Sequence, residues 1–247
     1  LPSLRDRFFV AGVHALGASV ALADDDARKV ATVLRGRTGD RVQVIDSSGS
    51  AFSASIAVSG GSVVATLDAR IERGRTEPAV RLTVAQAIPK GQKMDLVVEK
   101  ATELGVAAIV PLRSERVTGE RTGTHKIERW QRIARTAAQQ CGRTAVPQIA
   151  APASWDDLLA SFAAYERVYI PWELAEVRPL RETFDRDAPH IASALFVIGP
   201  EGGFSSHEVD RAVAAGAVPV SLGTRILRTE TVALVVLTAF AYARGDL

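Results

Sequence analysis

Two stretches constrain this chain more than any others: Leu195-Phe-Val-Ile-Gly-Pro-Glu-Gly-Gly-Phe204 and Ser221-Leu-Gly-Thr-Arg-Ile-Leu-Arg-Thr-Glu-Thr231. In the first, Ala194 to Ile198 is an apolar run of strand length, and Gly199 to Gly203 is too rich in Gly and Pro to continue it. Ser205 and Glu208 have capping-box spacing, which predicts a helix from about Ser206 to Gly216. The second stretch follows the same plan, with a strand over Val218 to Leu222, a loop over Gly223 to Thr229 and an apolar helix from Thr231 to Arg244. Pro200 stiffens the first loop, while Gly202 and Gly203 lack a Cβ and let a ligand approach the backbone. Loops leaving the carboxyl ends of neighbouring parallel strands form a crevice, where open α/β sheets place their ligands.

The remainder of the chain bounds the function classes. Its 247 residues suffice for one large or two modest domains, and 47% hydrophobic against 23% charged residues is an ordinary balance for a soluble protein. A net charge of +2 predicts no polyanion binding by itself, so any basic surface must be local. The single Cys141 excludes an internal disulfide, and the four histidines have no metal-site spacing, so no metal is expected. Without an apolar run of about 18 residues or a signal-peptide pattern, the expectation is a cytoplasmic protein with no membrane partner.

Residues 1–72 read as mostly β, with alternating runs over Arg41–Ile45 and Ala51–Val58 and a short helix over Ala27–Leu34. Short strands with tight turns suggest a small barrel. Residues 73–79 read as a linker. From residue 80 to 247, strands over 80–88, 107–112 and 167–171 alternate with helices over 92–104, 127–140 and 155–164. That alternation argues for an α/β domain with a mainly parallel sheet.

The two loops, Gly199-Pro-Glu-Gly-Gly203 and Leu222-Gly-Thr-Arg-Ile-Leu-Arg-Thr-Glu-Thr231, resemble those of the RsmE family, as do Arg7-Phe-Phe-Val10, Lys100-Ala-Thr-Glu-Leu-Gly105 and Gln139-Gln-Cys-Gly-Arg143. These are SPOUT-class methyltransferases that use S-adenosylmethionine to modify N3 of a uridine in 16S (small-subunit) ribosomal RNA. The resemblance implies a SPOUT-like parallel sheet with a C-terminal trefoil knot, a PUA-like N-terminal β-barrel that grips RNA, and a homodimer packed through the last helix. The partner would be small-subunit ribosomal RNA or the assembled 30S subunit.

On that resemblance, Gly199, Gly203, Leu222, Gly223, Ile226, Leu227 and Arg228 are expected to contact the methyl donor, with Ile198, Pro200, Glu201 and Gly202 completing the first loop. Trp172 and Glu173, at a strand end, read as a wall of the adenine side, the alternative for Trp172 being a core residue. A phosphate ligand fits less well, because neither G-x-G-x-x-G nor a P-loop is present and Glu201 would repel it. Uridine N3 carries a proton at neutral pH, so its methylation calls for a base near N3 and a cation near O2 or O4. Arg228 is assigned to the anion, and Glu230 or Glu201 to the proton; the alternatives are a helix N-terminal acid for Glu230 and a loop salt bridge for Arg228.

From Arg113 to Arg143, eight Lys and Arg stand against three acids. Arg113, Arg116, Arg121, Arg129, Arg132, Arg135 and Arg143 are the arginines of this set, and spacing by three brings Arg129, Arg132 and Arg135 close to one helix face. This is an electrostatic footprint for a phosphate backbone, and its plain alternative is a solvated helix face. Arg5, Arg7, Arg35 and Arg37 are candidates to line an RNA face in the first domain. Two other classes stay open: a non-catalytic ribosomal RNA assembly factor with the same fold, and a small-molecule methyltransferase.

Overall fold

The computed structural model describes residues 6–72, 76–116, 123–173 and 179–247. Arg5, Arg121 and part of the expected linker lie outside them. The chain divides into two compact units, Leu1–Glu77 with Ala138–Ala145, and Pro78–Ala137 with Val146–Leu247.

The first unit holds β1 (Arg7–Phe9), β2 (Ser19–Ala21), α1 (Asp24–Arg28), β3 (Arg41–Ile45), β4 (Ala51–Ser59) and β5 (Ser62–Arg70). The strands form one sheet in the order β1-β3-β4-β5-β2, antiparallel except for the β1–β3 pair. Among the described residues β1 and β2 do not pair to close it. The expected helix over Ala27–Leu34 is α1 followed by a π-helical turn at Lys29–Val33. Phe8, Val44, Phe52 and Leu67 are fully covered in the core of this unit.

Ala138–Ala145 returns to this first unit, which a single boundary over 73–79 does not anticipate. Three contacts hold it there. Gln139 Nε2 donates to Asp26 Oδ1 at 2.9 Å. Arg143 donates from Nε and Nη2 to Glu77 Oε2 at 3.0 and 2.6 Å. Glu77 Oε1 accepts from the Thr144 amide at 2.8 Å. Arg143 is only 5% exposed, which corrects its reading as an RNA contact: its charge is neutralised inside the unit. A buried pair like this destabilises strongly when one partner is removed, because the other charge stays behind.

The second unit holds β6 (Arg81–Ala87), α2 (Lys93–Glu103), β7 (Ala108–Leu112), α3 (Thr124–Cys141, its last turn counted with the first unit), β8 (Gln148–Ile149), α4 (Trp155–Ala160), β9 (Arg167–Pro171), α5 (Leu180–Asp187), β10 (Ser193–Ile198), α6 (Ser206–Ala214), β11 (Val218–Val220) and α7 (Thr229–Arg244). Its six strands are all parallel, in the order β11-β9-β10-β6-β7-β8. Every residue of β10 is buried, as a central strand covered on both faces requires. Successive side chains of a strand point to opposite faces. Phe196 and Ile198 therefore pack with α2, α5 and α7, whereas Leu195 and Val197 pack with α4 and α6. On the first face Tyr169, Phe184, Phe196 and Phe240 form an aromatic cluster with ring centroids 5.1–6.5 Å apart. The Tyr169 hydroxyl donates to Asp187 Oδ2 at 3.0 Å, which satisfies the one polar atom of that cluster.

Candidate active site at the strand ends

The two signature loops leave β10 and β11, but these strands are not neighbours as the sequence reading assumed. β9 lies between them. This insertion adds a third strand end to the crevice. The result is a cavity of about 450 Å³, lined by Ile198, Gly199, Pro200, Glu201, Gly202, Gly203 and Phe204 after β10. Ile226, Leu227, Arg228, Thr229 and Val232 line it from the second loop and α7, Pro171 and Glu173 from β9, and Lys93 from α2.

Local chemistry shapes each wall. Gly203 has φ +67°, a conformation side chains disfavour, and its amide donates to the Pro200 carbonyl at 3.0 Å to close the turn. A Cβ there would lie 2.9 Å from Glu173 Oε1. The predicted capping box is present: Ser205 Oγ accepts from the Glu208 amide at 3.1 Å, and Glu208 Oε2 accepts from the Ser205 amide at 2.9 Å. Such a cap contributes about 1 kcal/mol and fixes where the loop ends. Glu208 is buried, and its Oε1 also accepts from the Glu115 amide at 2.9 Å. Arg116 Nη1 donates to the Gly202 carbonyl at 2.7 Å, so the segment after β7 is joined once to α6 and once to the glycine loop.

Two side chains that the sequence reading overlooked organise the cavity. Thr229, the first residue of α7, donates to the Gly199 carbonyl at 2.5 Å and accepts from Gln86 Nε2 at 2.8 Å. Gln86 and Thr229 are both buried, so the chain of contacts from β6 through α7 to the glycine loop is shielded from water. Lys93 Nζ lies 2.8 Å from Glu201 Oε1 and 3.9 Å from Glu230 Oε2. The Lys90 amide also donates to Glu201 Oε1, at 3.1 Å. Partial burial pushes the Glu201 carboxyl up, but the Lys93 ammonium and the amide donors outweigh it and hold the group below the usual carboxylate range. Glu230 Oε2 is buried without a hydrogen bond. Arg228 is exposed and has no ion-pair partner among the described residues, so the loop salt bridge considered for it is formed by Lys93 instead.

The other expected residues are distributed as follows. Leu222 packs against the main core and Gly223 is exposed; neither lines the cavity, because the second loop enters it only at Ile226–Arg228. Trp172 packs against the α4–α6 face of the sheet, and Glu173 takes the wall position. Arg113, Arg116 and Arg132 are exposed, whereas Arg129 is paired with Asp95, which also accepts from Trp130 Nε1 at 3.1 Å. Arg135 is half-buried. In the first unit Arg35 is exposed with φ +52°, and Arg7 donates from Nε to Gln43 Oε1 at 3.0 Å. Among the described residues no group of three or more His, Cys, Asp or Glu could hold a metal ion, and no helix is long and apolar enough to cross a membrane.

Residues 76–241 match the RNA methyltransferase domain family. The chain is 32% identical to the ribosomal RNA small subunit methyltransferase E of Synechocystis sp. over 94% of its own length and 75% of that protein's. It is also 32% identical to the namesake from Mycobacterium bovis, over 94% and 89% of the two chains. Its fold superimposes with a TM-score of 0.86 on a crystal structure of ribosomal RNA small subunit methyltransferase E from Neisseria gonorrhoeae bound to S-adenosyl methionine, at 30% identity and covering 96% of this chain and 97% of that one. With two signature loops meeting at one cavity and relatives matched along nearly the whole length, this chain belongs to the ribosomal RNA small subunit methyltransferase E family of RNA methyltransferases.

Proposed function

We propose that this protein methylates N3 of a uridine in small-subunit ribosomal RNA, using S-adenosylmethionine held in the cavity at the ends of β9, β10 and β11. The chain is an RNA methyltransferase that takes its methyl group from S-adenosylmethionine. The observation that carries the site assignment is the convergence of the Gly199–Gly203 loop, Ile226–Leu227 and Arg228 on one cavity of about 450 Å³. The residues fit an adenosyl ligand: backbone groups and apolar walls suit an adenine, and the glycines leave room for close approach. The carboxylates of Glu173 and Glu201 on the wall suit a cationic donor better than a phosphate.

The bound donor would supply an electrophilic methyl group on a sulfonium sulfur. The chain's own residues orient the uridine, keep bulk water away and manage one proton. Methyl transfer to N3 would release the donor's sulfur as a neutral thioether and leave one proton, that of N3, for the chain's own residues to take. Arg228, without an internal partner, is placed to offset charge on O2 or O4 of the base. Glu201 is held as a carboxylate by Lys93 and the Lys90 amide, which makes it a weak proton acceptor. Glu230, with a buried oxygen lacking any hydrogen bond, is assigned the N3 proton.

Residues 1–72, as a PUA-like barrel joined through 73–79 to a knotted SPOUT domain over 80–247, would grip the RNA. Arg113, Arg116 and Arg132, all exposed, are proposed to meet phosphates beside the cavity, with Arg7 and Arg35 serving in the barrel. The half-buried Leu234 and Val235 and the exposed Tyr242 on α7 favour a homodimer. The proposed setting is the cytoplasm, with the assembled 30S subunit as substrate. Purified protein, labelled donor and 30S subunits are expected to yield N3-methyluridine on nucleoside mass spectrometry. RNA that is bound but never methylated would instead indicate an assembly factor.

A further inference from the structure

Three elements of the second unit meet at a single ammonium. Lys93 is the first residue of α2, Glu201 belongs to the glycine loop, and Glu230 sits in the first turn of α7. Lys93 Nζ donates to Glu201 Oε1 at 2.8 Å, and the Lys90 amide donates to the same oxygen at 3.1 Å. Glu230 Oε2, 3.9 Å from the ammonium, is beyond hydrogen-bond distance but inside the range of a charge pair. Among the described residues Lys93 is the only cation that close to Glu230, whose buried oxygen has no hydrogen bond. The side chains of Lys93 and Glu201 are about one-third exposed, 31% and 33%, so water screens their attraction only in part.

Resting on the reading of this cavity as the donor site, we propose that Lys93 is a positioning residue that ties the glycine loop to the first turns of α2 and α7, so that the wall facing the methyl donor is assembled before the donor arrives. A loop of Gly-Pro-Glu-Gly-Gly has little side-chain packing of its own to hold it. Thr229 anchors its first carbonyl, the capping box anchors its end, and Lys93 anchors the middle. Ordering a loop before binding removes an entropic cost from the binding step. The effect is therefore read in donor affinity.

The test compares wild type, K93M and K93R by calorimetry with S-adenosylmethionine and by steady-state methylation of 30S subunits. K93M is expected to weaken the donor Kd and raise the donor KM about tenfold. K93R, which keeps the charge, should recover donor affinity to within about threefold of wild type. Should K93M fail to fold, K93Q, polar but uncharged, takes its place, with the same weakening expected. Wild-type affinity in K93M, or K93R as weak as K93M, overturns the proposal. A wild-type protein that binds no donor would instead sink the underlying reading of the cavity.

Discussion

Replacing Arg228 by alanine is expected to lower kcat for ribosomal RNA methylation about a thousandfold, with little change in the stability of the fold. The side chain lines the cavity, is exposed, and forms no ion pair among the described residues, so its removal leaves no buried charge behind. A guanidinium that offsets charge on a uridine oxygen acts chiefly in the transition state, and loss of such a contact appears in kcat. A contact that merely holds RNA would raise KM and leave kcat alone. Lysine at the same position keeps the charge but not the planar fork, and intermediate activity is expected. Single-turnover methylation of 30S subunits by R228A and R228K, alongside thermal unfolding of each, distinguishes these outcomes.

The second large effect is expected from Thr229→Val, a change of nearly equal volume. The threonine hydroxyl is the link between the buried Gln86 and the carbonyl of the half-buried Gly199. Valine leaves the carbonyl without its donor and deprives the Gln86 amide of one acceptor; Gln86 Oε1 already has no partner. Leaving a buried polar group unsatisfied costs about 1–3 kcal/mol, and with Gln86 the buried partner of the two, a loss of about 1–3 kcal/mol is expected. That cost should appear in urea unfolding and as weaker donor binding, because the carbonyl belongs to the donor loop. Thr229→Ser restores the hydroxyl and should recover most of both. A T229V protein of wild-type stability and affinity would contradict this role.

What could be read in the sequence was local. The buried run of β10, the glycine turn and the Ser205–Glu208 capping box all have signatures within a few residues, and each lies where its signature put it. The position of β9 between β10 and β11 had no such signature, since the order of parallel strands is decided by how crossovers pack rather than by residues at the strand ends. Of Trp172 and Glu173, read together as a wall or with Trp172 as core, Glu173 lines the cavity and Trp172 is core; Leu222 and Gly223, expected as donor contacts, do not line it. Thr229 looked like a loop residue because Gln86 lies 143 positions away. Lys93 looked like any lysine in a first helical turn, where its charge is mildly unfavourable. The carboxylates that justify it become neighbours only after folding.

Charge was legible as composition but not as exposure. Arg129 and Arg143 belong to the basic run, yet one pairs with Asp95 and the other is enclosed with Glu77. Arg113, Arg116 and Arg132 face solvent. Helix α5 was missed because Leu180–Asp187 is polar apart from Leu180 and Phe184, too few apolar positions to set a period. Its buried Phe184 shows that two turns suffice when one aromatic ring completes a core cluster.

The measurement that reaches the central assignment most directly is a crystal structure of the protein grown or soaked with S-adenosylmethionine. The adenosyl group is expected between Gly199–Gly203 and Ile226–Arg228, with the methyl-bearing sulfur on the side open to Arg228. Donor density at any other place on the protein, with this cavity filled only by solvent, would contradict it.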